Sequence, residues 1–319
     1  MSDHVRLGIF SPSVVLGVAT ATSALDDAGL TIETVPAASS AEQFAALYSG
    51  ELDAALTSPD NVLAYRGSAA NPLGRALDVR VLAAVDRGLG LSLFTAPGLD
   101  PDDPVDPDGL AGGVLGVDVP TSGFAFVGYE LLARRGLRAG TDYEVRALGS
   151  TPRRARALLA GECTMTVLNA GNDLFAEAAG CARISRAASL GPYVGTVLAA
   201  TGASVAASPT TLRALTDVLV QTSGTLFDGG LRSIAAAVTA ARLGLGEPEV
   251  QRYLHTLSNP LEGLILDGRL DEGSLRTLCW LRDRHAAPGP ARAARAALNA
   301  LVEPSAGFVD DRFLTAPAT

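Results

Sequence analysis

Short apolar runs alternate with amphipathic helical segments along the first 85 residues, and this alternation restricts the possible folds more than any other feature of the sequence. The predicted strands are Leu7–Phe10, Thr31–Val35, Asp53–Thr57 and Val79–Val85. Capping residues and glycines separate them, as in the helix predicted to have Ser40 as its N-cap, to run through Tyr48 and to stop before Gly50. Strands that are separated by helices form βαβ units, so we expect an α/β fold with a mainly parallel sheet.

The same alternation begins again after PGLDPDDPVDPDG at 97–109, a segment that we expect to be a surface loop. Further strands are predicted at Val114–Val117, Tyr143–Ala147 and Thr164–Leu168. A weak repeat with an offset of 111 residues links the two series, with identities at Ala46/Ala157, Leu47/Leu158, Gly50/Gly161, Glu51/Glu162 and Asn61/Asn172. The repeat predicts two similar α/β lobes, and a chance match between two βαβ units is the alternative.

The sequence changes near residue 208 to Ala-rich amphipathic segments that are typical of helices. They are Pro209–Phe227, Gly230–Leu243, Glu247–Leu257, Asp271–Arg284 and Pro290–Val302. Because no low-complexity linker precedes them, we expect them to pack back across the lobes. The predicted lobe 1 is therefore discontinuous, at 1–88 and 196–319, and lobe 2 is 89–195. Hinge strands are expected near 86–95 and 190–200.

Composition excludes several classes of protein. The net charge of −9 makes nucleic acid and anionic membrane surfaces poor partners. No uninterrupted apolar run reaches the roughly 18 residues of a membrane span, so no membrane insertion is expected. All 25 basic residues are arginine, which excludes a Schiff base with pyridoxal phosphate and a P-loop lysine. The three cysteines and three histidines show neither CxxC nor HExxH spacing, so we expect no metal and no cofactor.

The N-terminus leads directly into the first predicted strand, through Val5-Arg6-Leu7-Gly8-Ile9-Phe10. A basic segment followed by an apolar stretch and a small-residue cleavage site is not seen before it. We therefore expect a cytoplasmic protein from the sequence as it stands, and an extracytoplasmic one if a leader was removed.

Four stretches, in this order, carry a resemblance to a known family: LGIFSPS, AASSAEQFAALYSGELDAALTSPDNVLAY, DGLAGGVLGVDVPTSGFAFVGYELLARRGL and NPLEGLILDGRLDEGSLRTLCWLRDRH. The chain resembles the type II periplasmic binding proteins, in particular the group related to nitrate-, sulfonate- and thiamine-precursor-binding proteins of ABC importers. The resemblance implies a two-lobed type II periplasmic-binding-protein-like α/β fold with a C-terminal helical region. The second lobe departs from the pattern, since it has GECT at 161–164 where the first has GELD.

The candidate ligand-binding residues lie at the ends of predicted strands, where open α/β sheets bind ligands and where helix N-termini favour negative charge. They are Phe10, Ser11, Ser13, Ser39, Ser40, Thr57, Ser58, Asn61, Thr121, Ser122, Gly123, Phe124, Arg153, Asn169 and Tyr193, with Thr151 as a further hydroxyl. The aromatic rings could stack on a planar ligand, and Arg153 could pair with a carboxylate or sulfonate. Helix capping, core packing and a solvated arginine explain the same residues without a ligand.

The first functional hypothesis is a solute-binding protein of the ABC-transporter type that holds a small anionic or zwitterionic organic molecule, with an ABC permease as partner if it is exported. The second is a leaderless cytoplasmic enzyme on the same fold, a cofactor-free lyase, decarboxylase or synthase of a biosynthetic pathway. Its catalytic group would be Asp173, Tyr193 or Asp86, whereas Cys163 and His255 are more simply explained as packed residues. A cytoplasmic sensory module that reports ligand to a partner protein is the third.

Overall fold

The structure is a computed structural model that describes residues 2–69, 71–98, 110–286, 299, 302–303 and 307–314. Most of the loop predicted at 97–109 and most of the helix predicted at Pro290–Val302 lie outside these residues. Within the described ranges, none of the helices is both long enough and apolar enough to cross a bilayer.

The strands of the described residues form two five-stranded sheets. The first sheet contains, in spatial order, β2 (Leu30–Pro36), β1 (Asp3–Ile9), β3 (Ala54–Thr57), β10 (Thr196–Thr201) and β4 (Val79–Asp86). The second contains β7 (Glu144–Ala147), β6 (Val114–Val117), β8 (Met165–Leu168), β5 (Ser92–Thr95) and β9 (Ala182–Arg186). In both sheets the first three strands are parallel and the fourth is antiparallel to its neighbours. We call the parts built on these sheets the first and second lobes.

The two sheets have the same strand order, which matches the duplication predicted from the repeat. The offset of 111 residues places Ala54–Thr57 directly on Met165–Leu168. It also pairs Gly50 with Gly161, and both glycines adopt the left-handed conformation after a helix, with φ of 77° and 72°. The α/β fold with two similar lobes is thus confirmed, while the exact lobe boundaries stay a prediction.

Twelve α-helices surround the sheets in the described residues. They are α1 (Val14–Ala21), α2 (Ala24–Asp27), α3 (Ser40–Ser49), α4 (Pro59–Gly67), α5 (Gly123–Ala133), α6 (Thr151–Leu159), α7 (Asn172–Ala178), α8 (Gly202–Ala207), α9 (Pro209–Phe227), α10 (Arg232–Leu243), α11 (Glu247–Leu257) and α12 (Glu272–His285). α1 and α2 are separated at Ser23, which has a φ of 59°. Ser39, rather than Ser40, is the N-cap of α3 and accepts a hydrogen bond from the Glu42 N–H.

The chain crosses between the lobes twice, from β4 to β5 and from β9 to β10. The crossings lie side by side, because the Gly195 N–H donates to the Asp86 carbonyl at 2.9 Å. Gly88, Leu89 and Gly90 all have positive φ, of 102°, 47° and 80°. A Cβ at Gly195 would lie 2.4 Å from the Gly88 Cα, so this approach requires glycine. The crossings coincide with the expected hinge strands, whose motion stays a prediction.

Candidate functional site

A cavity of about 110 Å³ lies between the two lobes, at the carboxyl ends of their parallel strands. Phe10 follows β1, Ser58 follows β3 and Asp86 ends β4, so the first lobe contributes the ends of three strands. Asp118 follows β6 and Asn169 follows β8 in the second lobe. This position is where the sequence predicted a ligand site.

Four helices begin at the cavity, and the N-cap residue of each lines it. These N-caps are Ser13 of α1, Ser58 of α4, Ser122 of α5 and Ser150 of α6. The first three accept hydrogen bonds from helical N–H groups at 3.1 to 3.3 Å, so they cap their helices as well as facing the cavity. The positive ends of four helix dipoles therefore favour negative charge in this space.

Arg154 places a fixed positive charge in the cavity wall. Its side chain is 2% exposed, and its guanidinium donates to Thr166 Oγ1, Thr151 Oγ1 and two carbonyl oxygens. Burial lowers the pKa of Arg154 to about 10, so the group keeps its charge at neutral pH. Its hydrogen-bond partners in the described residues are hydroxyl and carbonyl oxygens, which carry no charge, so the charge of Arg154 favours an anion in the cavity.

Two carboxyl groups, those of Asp86 and Asp118, add negative charge to the cavity that contains the positive Arg154. Asp118 accepts the Ser40 N–H at 3.2 Å, and its charge acts electrostatically on Arg154. Burial raises the pKa of Asp86 to about 6, partly offset by hydrogen bonds from Thr196 and from the Gly88 N–H. With a cation and acidic groups in one enclosed space, the cavity is suited to a molecule that carries both signs of charge.

Contacts between the lobes close the cavity on one side. The Ser150 N–H donates to the Ala38 carbonyl at 2.9 Å, and the bond from Ser40 to Asp118 also joins the two lobes. Asn172 Nδ2 lies 3.4 Å from Ser11 Oγ. The first and second lobes thus touch directly beside the cavity.

Ten of the fifteen predicted ligand-binding residues line this one cavity. They are Phe10, Ser11, Ser13, Thr57, Ser58, Asn61, Ser122, Gly123, Phe124 and Asn169. Thr151 lines it too. The structure brings these residues together, and their binding of a ligand stays a prediction.

Three predicted residues near helix starts lie outside the lining. Ser39 uses its hydroxyl to cap α3, with the Glu42 N–H as donor at 3.2 Å. Ser40 is buried and meets the site only indirectly, through its backbone N–H on Asp118. Thr121 is exposed in the turn before α5, one residue before the cavity-lining N-cap.

Tyr193 and Arg153 also lie outside the cavity. Tyr193 is 1% exposed within the core, and burial raises the pKa of its hydroxyl. Arg153 is exposed and lines a neighbouring groove instead. Since an α-helix turns by about 100° per residue, two adjacent arginines cannot share one direction. The arginine of α6 that faces the cavity is Arg154.

The sequence interpretation did not predict Arg154 and Asp118 as ligand-binding residues. The signal for Arg154 was its helical phase, since it lies three residues after Thr151 and four before Leu158, both of which are buried. Asp118 carried the signal that selected Ser58, a polar residue directly after a predicted strand. The contributions of Tyr253, Leu257 and Leu264 depend on tertiary packing and left no local signal.

Of the three candidate catalytic groups, only Asp86 lines the cavity. Asp173 is buried elsewhere, with Arg183 at 3.8 Å, and burial raises its pKa to about 7. Burial also raises the pKa of the Cys163 thiol to about 11, which disfavours a nucleophilic thiolate. In the part of the chain that the structure describes, no group of three metal-ligating side chains is assembled.

No protein-family model and no curated protein sequence matches the chain. Solved structures of other proteins match nearly the whole chain. A protein from Bordetella bronchiseptica RB50 superposes with a TM-score of 0.74 at 20% identity, covering 97% of this chain and 95% of that one. The alkanesulfonate-binding protein SsuA from Xanthomonas axonopodis pv. citri gives 0.68 at 16% identity, covering 93% and 95%.

The periplasmic nitrate-binding protein NrtA from Synechocystis PCC 6803 gives a TM-score of 0.72 at 12% identity, covering 94% of this chain and 86% of that one. These matches extend over nearly the whole chain in each case. Identities this low establish the fold and leave the ligand open. The protein therefore has the two-lobed α/β fold of the type II periplasmic binding proteins of ABC import systems, as the sequence resemblance implied.

Proposed function

We propose that this protein is a solute-binding protein whose lobes close over a small zwitterionic or anionic organic molecule. The observation that carries the proposal is the cavity itself, where four helix N-termini and the buried Arg154 converge from both lobes. Anionic oxygens of the ligand would accept hydrogen bonds at the helix N-termini, and an ammonium group would face Asp118.

The size of the cavity favours a small ligand. An apolar cavity of about 150 Å³ holds one benzene molecule, so about 110 Å³ fits a solute of only a few heavy atoms. Larger ligands would need the lobes to separate or would have to extend beyond the cavity. Small amino acids and aminoalkanesulfonates satisfy the charge pattern, and the smallest of them, such as glycine, also satisfy the size.

The solved structures of the same fold support this ligand class. One is described as an alkanesulfonate-binding protein bound to MOPS and another as a nitrate-binding protein, so anions are bound by both. An ABC permease is the partner that the resemblance implies for an exported protein. We propose the ten lining residues predicted above, together with Arg154 and Asp118, as the binding residues.

Native mass spectrometry of the purified protein tests the proposal first, because a retained solute identifies itself by its mass. Calorimetry with sulfonates, amino acids and pyrimidines, combined with small-angle scattering, then measures affinity and closure. We expect saturable binding of a zwitterion or anion and a smaller radius of gyration. Binding without compaction contradicts closure, and the absence of binding by every candidate contradicts the proposed function.

A substitution that removes one negative charge from the cavity and keeps the shape of the side chain makes the test specific. Asp118→Asn should weaken binding of an aminoalkanesulfonate by about 10-fold or more, because it removes the partner of the ammonium group. The same substitution should weaken the binding of an alkanesulfonate that has no amine much less. Asp228→Asn is the matched control, since Asp228 is exposed at the end of α9. Equal losses for the two ligands would show that Asp118 does not bind the ammonium group.

The enzyme hypothesis is kept as a second candidate because of Asp86. A carboxyl group with a pKa of about 6 in a closed cavity exchanges protons near neutral pH, as a general acid or base must. Incubation of the protein with the ligand found by mass spectrometry distinguishes the candidates. Recovery of the ligand unchanged supports solute binding, and product formation that Asp86→Asn abolishes supports catalysis.

A further inference from the structure

A second opening adjoins the central cavity and is not part of it. This groove has a volume of about 520 Å³, and four of its lining residues, Phe10, Ser11, Pro12 and Ser150, also line the cavity. Its remaining wall includes residues of β1, β2, α6, α7 and α10 and of the loops beside them, so both lobes contribute. A ligand in the cavity could therefore extend into the groove past the shared residues. We call it the outer groove.

Three guanidinium groups line the outer groove, from Arg153 and Arg156 in α6 and Arg242 in α10. All three are exposed, and none makes an ion pair or hydrogen bond to another residue in the described ranges. No carboxylate is among the described lining residues, and the nearby Glu42 carboxylate accepts the Ala38 N–H at 3.0 Å. In a chain with a net charge of −9, this is a local concentration of unpaired positive charge.

The arginines are held at separate places on the rim. A Cβ at Gly17 would lie 2.5 Å from Arg242 Nε, so the side chain of Arg242 packs on α1 in the first lobe. A Cβ at Gly149 would lie 3.5 Å from Arg153 Nη1, in the second lobe. Arg242 thus belongs to the first lobe and Arg153 to the second, so an anion that contacts both guanidinium groups would link the two lobes. An anion bound here would therefore also hold the lobes closed.

The outer groove has an apolar surface beside its charges. Phe10 and Pro12 form part of it, Leu243 is half-buried, and Phe175 is 42% exposed. Apolar wall and guanidinium groups together fit an anionic group carried on a short organic chain. The planar fork of arginine binds carboxylate, sulfonate and phosphate oxygens in pairs.

We propose that the outer groove is a subsite for a second anionic group of the ligand. The ligand would then be a small amino acid or amine with two acidic groups, one in the cavity beside Arg154 and one among Arg153, Arg156 and Arg242. This inference rests on the proposed function for the part of the ligand that occupies the cavity. The anion site in the groove can be tested without that ligand.

The first test uses inorganic phosphate and arginine side-chain NMR. We expect saturable shifts of the Nε–Hε signals of Arg153, Arg156 and Arg242, and none at the exposed Arg138 and Arg232 outside the groove. A response that is unsaturable or equal at all five arginines overturns the subsite, because it indicates only the general attraction of anions to positive charge.

The second test compares two probes that differ by one carboxylate, L-cysteate and taurine. We expect calorimetry to show that cysteate binds about 10-fold or more tightly than taurine. The triple variant Arg153→Gln, Arg156→Gln, Arg242→Gln should reduce that ratio to about 3-fold or less. The triple variant Arg138→Gln, Arg232→Gln, Arg276→Gln changes net charge equally at exposed positions and should keep the ratio.

The outcomes separate this inference from the proposed function. If both probes bind equally well, or if the groove and control variants behave alike, the subsite is wrong while solute binding stands. If the groove variant lowers only the association rate and its salt dependence, the arginines steer anions and do not bind them, which also overturns the subsite. If phosphate saturates the groove while no organic probe binds the cavity, the anion site stands and the proposed function fails.

Discussion

The guanidinium of Arg282 in α12 binds both carboxylate oxygens of Asp60 in α4, at 2.8 and 2.5 Å. Asp60 is 1% exposed and packs against the first residue of α5, since a Cβ at Gly123 would lie 2.5 Å from the Asp60 Cβ. Helix α12 continues to His285, whose ring nitrogen lies 2.9 Å from the Glu130 carboxylate in α5. One late helix thus connects the first lobe to the second, beside the cavity.

Replacement of Asp60 should destabilise the protein strongly. Asp60→Ala leaves the largely buried Arg282 without its carboxylate, and such losses cost about 3–5 kcal/mol in the free energy of unfolding. Urea denaturation measures the change. Glu272→Ala is the control, because the pair of Glu272 with Arg276 is exposed and should contribute less than about 1 kcal/mol. Similar losses in both variants would show that the Arg282–Asp60 pair has no special role.

The close approach of the two crossings makes Gly195 a sensitive position. Gly195→Ala places a methyl group 2.4 Å from the Gly88 Cα, so backbone has to move, and overpacking of this kind costs about 1–3 kcal/mol. Gly224→Ala in α9 is the control. A Cβ there meets nothing within 4 Å, and the helix should gain roughly 0.5–1 kcal/mol. If thermal unfolding shows the two variants to be equally stable, the crossings are not tightly packed.

Asp86 should make stability depend on pH in a direction that is unusual for a carboxyl group. Its folded-state pKa of about 6 lies above its ordinary value of 3.8, so the folded protein binds the proton more tightly than the unfolded chain. The stabilising contribution is complete below about pH 4 and is lost as the pH rises to about 6, amounting to roughly 3 kcal/mol.

Asp86→Asn removes this dependence, because the amide oxygen can still accept the Gly88 N–H and carries no charge. Denaturation of both proteins from pH 4 to pH 7 measures how the free energy of unfolding of each depends on pH. Because Asp173 is present in both proteins, its contribution cancels when the two slopes are subtracted. We expect the variant to lose less stability than the wild type over this range. Identical slopes would mean that Asp86 titrates near its ordinary pKa.

The thiol of Cys163 should be unreactive in the folded protein. With a pKa of about 11 and 2% exposure, its thiolate fraction at pH 8 is about 100-fold smaller than that of an ordinary cysteine. Alkylation with iodoacetamide, read out by peptide mass spectrometry, should label Cys163 slowly in buffer and rapidly in urea. Equal rates in the two solvents would restore Cys163 as a candidate nucleophile.

The sequence predicted the bounds of those strands and helices whose ends are marked by residues within or next to them. The bounds predicted for β6, α9 and α11 agree with the structure. Proline in the first helical turn marks α9 and α11, and glycine before and proline after the apolar run delimit β6. β9 was not predicted, and β5 was predicted only as part of the hinge strand near 86–95. β5 has four residues that are all buried, so it lacks alternation, and β9 is a short edge strand that is mostly half-exposed.

Some residues of the candidate site could likewise be predicted from local patterns, and others depend on contacts between distant parts of the chain. Ser13, Ser58 and Ser122 could be predicted because a residue that caps a helix after a strand is visible in the sequence. The contact between Ser40 and Asp118 joins residues 78 positions apart in different lobes, and no local pattern encodes it. Arg153 was predicted as a binding residue and lies outside the cavity, whereas its neighbour Arg154 lines it. The sequence interpretation did not distinguish the two because it did not use the helical phase of α6.

The placement of β10 between β3 and β4 has a consequence for synthesis on the ribosome. β4 ends at Asp86 and its partner β10 ends at Thr201, so the edge strand has no neighbour to join until more than a hundred further residues have emerged. The second sheet, whose strands all lie between Ser92 and Arg186, can assemble during that interval. The nascent chain would thus complete its later half before its earlier one.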